Sequence, residues 1–482
     1  MYAEHVDPDI APSGTLLGLL QRGRGDGTLH ALAAPRPEAL AALRRCLLND
    51  PRRDWQLEHR SLYYARLHTE LAAPLDAIEE HLFAPEDGAE TGEERTGLAL
   101  SVLGHLASYG DTGALELLRR YAARGANWQW ALDELAVRDD DEGLRALGAA
   151  VLDRFPRTAE GDAELALALR DAFEPRPWRL WEEDPHRPEQ RERLVRAREQ
   201  HSFDRWAKQM RAAGPRPGWS VREILEWAAD GCLDRDADPA DERRQAREAA
   251  AARCLAAVAG PQDREELLRA ARGGPDAARA AALRHLAERG DRESLDLIEA
   301  AVVAGPAPVA EAACAAFARM RSVAALDRAR RWAVRADALG VEAATMLACR
   351  GGARDGQAVL AAVLRTARAE GPDSQRLWPL VEGLGRLTVE RAAPVLRHLY
   401  RETCSSRLRG ITARALAATD PSFAAGFAIE CLWDCEESTR ELAARHATTG
   451  DVRVVERLRR LATDPAEEAG VQSAVRGRLG SA

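Results

Sequence analysis

The chain has a single lysine, Lys208, among its 68 lysines and arginines. That scarcity removes whole classes of chemistry. A phosphate-binding loop needs a glycine-rich turn closed by lysine and a hydroxyl residue, and the one lysine lies in WAKQM. A lysine Schiff base would depend on Lys208 alone. There is no HExxH zinc helix and no GxSxG nucleophile elbow. No cysteine pair has the two-residue gap of a zinc knuckle or redox motif, and the eight cysteines are scattered. They read as reduced, mostly buried thiols. Cys431 and Cys435, four apart, either share a helix face or flank a helix end. No run of about 18 apolar residues exists, so no membrane span is expected. The N-terminus lacks a basic start followed by an apolar core, so no secretory signal is apparent and a cytoplasmic location is expected. No cofactor and no metal are expected.

Arginine, by contrast, is abundant, a bias that a GC-rich bacterial genome explains most simply. The net charge is −9, which disfavours a broad nucleic-acid surface while leaving room for a local patch. Runs such as Asp139-Asp140-Asp141 and Glu182-Glu183-Asp184 read as solvated turns or helix N-termini rather than as catalytic acids.

Strand formers are sparse, and the apolar residues recur at helical spacing. Six helix-starting residues are spaced almost evenly: Asp291, Ser322, Asp355, Thr388, Asp420 and Asp451, at steps of 31, 33, 33, 32 and 31. One copy reads as follows. Ala277 to Arg289 forms a helix with Leu283 and Leu286 on its buried face. Gly290 ends it in a left-handed turn. Asp291 caps the next helix, which buries Leu295 and Ile298. Neither helix can bury its stripe alone, so the copies must stack. A weaker copy runs from Leu98 to Tyr121 with its own Gly110-Asp111 turn, and Asp141 starts a further helix. Helices are also expected at Pro37–Leu48, Trp55–Leu71 and Pro74–Phe83.

These Gly-Asp turns and paired helices resemble HEAT repeats, and within them the bilin-lyase-type HEAT-like repeats. The resemblance is clearest over residues 276–463. It implies an all-α, right-handed, armadillo-type α-solenoid of stacked helical hairpins. The expected organisation is an N-terminal array at 1–172, a Trp/Arg-rich insertion at 173–220 and a C-terminal array at 221–482, with a cap helix at Pro465–Leu479. His105 and His285 occupy matching places in LGHLASYGD and LRHLAERGD, which favours a structural role. No histidine is followed by glutamate, so the iron-ligand pairs of the HEAT-repeat hydroxylases are missing.

The resemblance implies a non-enzymatic scaffold or adaptor that binds a protein or peptide along a concave face. Arg328, Arg331 and Arg397 are candidates there. A second candidate region is the insertion, with Trp178, Arg179, Trp181, Trp206 and Trp219. Between Pro175 and Arg222 it holds 12 basic and 7 acidic residues. Tryptophan and arginine are common binding anchors. Those tryptophans could equally pin the insertion down. A third region is Trp128, Trp130 and Asp133, which could cage a cation. This trio is similar in kind to the groove of HEAT-like-repeat DNA glycosylases, and it supplies the alternative of a binder or enzyme for a nucleobase or a cationic or aromatic ligand.

Overall fold

The computed structural model describes residues 10–51, 60–88, 92–209, 218–230 and 240–480, and every regular element among them is a helix. No helix among the described residues is long and apolar enough to cross a membrane. The chain divides into two compact units. One joins Met1–Arg211 to His398–Ala482, and the other is Ala212–Arg397. The boundaries read from sequence, 1–172, 173–220 and 221–482, follow chain order. The compact units instead bring the two ends of the chain into one body.

The second unit carries the clearest copies. The helix Asp276–Glu288 packs on Ala307–Arg319, that helix on Ala338–Arg350, and that one on Leu377–Arg386. Partner helices Ser294–Ala304, Val323–Trp332 and Gly356–Glu370 lie between them in sequence. Leu283, Leu286, Leu295 and Ile298 are all buried, as the periodicity requires. Gly290 takes a φ of +70°, and Gly110 in the earlier copy takes +88°. A side chain would be strained at either place.

The helix-starting residues split by role. Ser322 accepts a hydrogen bond from the Ala325 amide at 3.2 Å, Asp451 from Arg453 at 2.9 Å, and Asp111 from Ala114 at 3.0 Å. Asp291 and Asp420 accept the amides of Glu293 and Ser422. Asp355 accepts from the Gly352 amide, behind it in the chain, at 2.9 Å. Thr388 caps nothing of the kind: its φ is +49° and its hydroxyl bonds the Leu387 carbonyl. At Asp141 the cap is the residue before, Asp140, on the Gly143 amide at 2.7 Å.

Arginine ties copy to copy within each unit. Arg289 donates to the Ala259 carbonyl, Arg350 to Met320, Arg386 to Ala348 and Gly351, and Arg478 to Ala447. Each reaches a carbonyl at or near the end of the helix one copy back, a group with no acceptor role left inside its own helix. A second series pairs arginine with a carboxylate 25 to 27 residues on: Arg264 with Asp291, Arg330 with Asp355, Arg409 with Asp434, and Arg440 with Glu467.

In the first unit the helices Ser406–Thr419, Glu437–His446 and Ala469–Gly480 pack in succession. The last buries Val471 and Val475, at the place expected for a cap helix. The N-terminal helices of the same unit lock onto this C-terminal part through the segment Arg22-Gly23-Arg24-Gly25. Arg24 pairs with Glu430 at 2.7 Å, and the Cys435 amide donates to the Gly23 carbonyl at 2.9 Å. A Cβ on Gly25 would lie 1.9 Å from the Glu430 carbonyl oxygen. Arg66 reaches Asp464 at 2.7 Å and Glu467 at 2.9 Å.

Candidate functional site

The helix Trp128–Arg138 follows Thr112–Arg124 and packs on it. Its buried stripe is Ala131, Leu132, Leu135 and Ala136. The three candidate side chains on it face different neighbours. Trp128 packs edge-on against Phe155 at 5.7 Å and Trp178 at 6.2 Å, with the Arg154 guanidinium 5.5 Å from its ring centre. Trp130 donates its indole N–H to Ser101 Oγ at 2.9 Å, and that hydroxyl donates to Glu134 at 2.7 Å. Asp133 accepts from the Glu174 amide at 3.1 Å.

The insertion tryptophans part company. Trp178 and Trp181 are 3% and 0% exposed and stack edge-on at 5.0 Å. Trp181 donates to the Leu144 carbonyl at 2.7 Å. Both are core residues of the first unit, and Trp128 joins them, so two regions that sequence keeps apart share one aromatic cluster. Arg179, on the same short helix Arg176–Glu182, is exposed. A charged helix follows from Pro188 to Gln209. The side chain of Trp206 lies outside the described residues. Trp219 is half-buried against Trp227 at 6.4 Å in the second unit, with Arg247 4.3 Å over the Trp227 ring.

Of the C-terminal arginines, Arg331 is exposed and Arg397 half-buried. Arg328 is committed to its own fold, bridging Asp296 at 2.7 Å and Glu299 at 3.3 Å while stacking on Trp332. Cys431 and Cys435 flank the turn before Glu437–His446, both buried. Cys232 lies outside the described residues. No group of three or more metal-ligating side chains occurs among the described residues.

One arrangement around Asp133 is not explained by packing. Burial pushes the Asp133 carboxyl up to about 6, and the nearby Glu174 and Glu134 add to that rise. No arginine or histidine pairs with it among the described residues. Glu174 is held against Asp133 through its amide, and Arg176 donates to the carbonyls of Ala136 and Asp139 at 2.7 and 3.0 Å. The segment from 173 to 176 therefore runs along the C-terminal half of the Trp128 helix. Phe173 on that segment is 83% exposed, and Val137 on the helix is 63% exposed. An acidic group without a cation thus sits beside two apolar side chains in water. Such a grouping suits a partner bearing a cation next to apolar residues. Phe173 itself carries no sequence signal, because its exposure follows from how Glu174 and Arg176 are tied down. No known protein family, curated protein sequence or solved structure matches this chain.

Proposed function

We propose that this protein is a non-enzymatic scaffold, a HEAT-like right-handed α-solenoid that binds a protein segment on its surface. The copy-to-copy packing of first helices in each unit and the arginine ties between copies support the solenoid reading. The observation that carries the binding reading is the Asp133–Phe173–Val137 patch, an unpaired carboxylate set among exposed apolar side chains. Its partner is a basic amphipathic segment: a lysine or arginine meets Asp133 and Glu174, and apolar residues cover Phe173 and Val137. Burial of Phe173 would contribute about 2 kcal/mol, within the range for one large apolar side chain. The ion pair with a half-buried carboxylate adds direction more than affinity.

The test uses a synthetic amphipathic helix of leucine and lysine, titrated calorimetrically into the full chain, and its leucine–glutamate counterpart as control. Phe173→Ser and Asp133→Asn should each weaken the lysine peptide about tenfold or more, with the Phe173→Ser melting temperature close to the parent's and that of Asp133→Asn no lower than it. Binding should also weaken as the pH falls below about 6, where Asp133 takes up its proton. Equal affinity of parent and both variants, or preference for the glutamate peptide, would remove this patch from the account.

A further inference from the structure

A second surface lies elsewhere in the first unit and has the opposite charge. Arg401, near the end of the helix Ala393–Glu402, sits 5.5 Å from the centre of the Phe427 ring. Arg457, on the helix Val452–Thr463, sits 5.4 Å from the centre of the Trp433 ring. Phe427 opens the short helix Phe427–Cys431, and Trp433 lies just past its end. The two arginines therefore reach the same middle copy, one from the copy before and one from the copy after. Arg401 is exposed, and Phe427, Trp433 and Arg457 are each partly exposed.

Neither arginine has a carboxylate partner among the described residues. The neighbouring acids are already committed. Glu402 accepts from Ser13, Glu430 from Arg24, and Asp434 from Arg409. The two carboxylates that act on Arg457, Asp464 and Glu467, are bonded to Arg66 and Arg440. Arg457 is further fixed by a bond from its Nε to the Leu432 carbonyl at 3.2 Å. That leaves the far edge of its guanidinium without a protein acceptor. A guanidinium lying on an aromatic face keeps its N–H edge available for a carboxylate.

We propose that Arg401, Phe427, Trp433 and Arg457 form a docking surface for an acidic peptide segment with an aromatic or apolar residue between its carboxylates. Each guanidinium takes one carboxylate by charge-assisted hydrogen bonds. The middle side chain of the peptide lies against Phe427 and Trp433. Packed helices stand about 8–10 Å apart, so arginines two copies apart are separated by roughly 16–20 Å. An extended chain covers that in about five or six residues. A polyphosphate partner fits less well. Two uncompensated cations are few for a nucleic acid, whose affinity rests on many phosphate contacts.

The probe is a fluorescein-labelled heptapeptide of six glutamates around a central phenylalanine, followed by anisotropy at low salt with the full chain. The parent should bind it, and binding should weaken as salt is raised. Arg401→Glu should weaken binding tenfold or more without shifting the melting temperature, since Arg401 is exposed. Arg457→Ala should also weaken it. Arg453→Ala, on the same helix but paired with Asp451 at 2.8 Å, should not. Asp133→Asn should leave this binding unchanged, which separates the result from the other patch. If Arg457→Ala proves less stable, the Arg401→Glu result decides. Failure of the parent to bind, unchanged binding by Arg401→Glu, or tighter binding of an oligothymidine of similar charge would each overturn the proposal.

Discussion

Arg409 has no contact with solvent, and its charge is met by Asp434 through two bonds of 2.7 and 2.9 Å. A buried pair of this kind adds little net stability when complete, but removing one partner strands the other. Asp434→Ala should therefore cost about 3–5 kcal/mol in urea unfolding. Removing Asp451, whose partner Arg453 is fully exposed, should change the same curve little beyond the loss of a helix cap. The matching pair one copy on gives a pH dependence. Burial alone would raise the Glu467 pKa, but Arg440 and Arg66 outweigh it and hold it at about 2. Its unfolded value is near 4.5, so the folded form binds the proton less readily. This stabilisation is complete above pH 5 and is lost as the pH falls through 4.5 towards 2. Asp133 has the opposite sign. Its folded pKa is the higher one, so it costs stability as the pH rises from 4 to above 6. Asp133→Asn should relieve that cost at neutral pH, and thermal melts of the two proteins across that range would show the gap opening.

The helices and their turns were the most legible part of the chain. Period and capping chemistry both act within a few residues, so Asp111, Ser322 and Asp451 could be read directly from their surroundings. Thr388 could not, because nothing local announces its left-handed backbone. Asp291 and Asp355 were legible as turn residues, yet their ion pairs with Arg264 and Arg330 were not. Those partners come from the preceding copy, and an arginine-rich composition hides the few that matter. Site residues follow the same division. Asp133 stood out beside two tryptophans, while the grouping of Trp128 with Trp178 and Trp181 depends on packing across some 50 residues of sequence. The element-level prediction concerns the stripe itself. Leu286 is 3% exposed, and Leu286→Ala should cost about 2–5 kcal/mol. Overlaid denaturant curves for that variant and the parent would mean that the register of this copy is misassigned.

Closure of the chain's ends within the first unit left no pattern in the sequence. The glycine-rich stretch RGRGDG, Arg22–Gly27, finds its partners about 400 residues away. The structure gives that stretch a use: Gly25 lets the backbone approach Glu430, and Arg24 supplies the charge that Glu430 needs in a buried setting. Tyr63 fixes the same segment by donating to the Arg24 carbonyl at 2.8 Å. Both proposed docking surfaces belong to this unit, so its rigidity is what would hold their side chains in place. The most direct measurement is hydrogen exchange, read by mass spectrometry, on the full chain and on Arg24→Ala. Cooperative units open together. Faster exchange is expected in Gly25–Ala33 and, equally, in Phe427–Cys431 and Glu437–His446. Acceleration confined to the N-terminal segment, with the C-terminal helices exchanging as in the parent, would contradict the closure of the chain's ends.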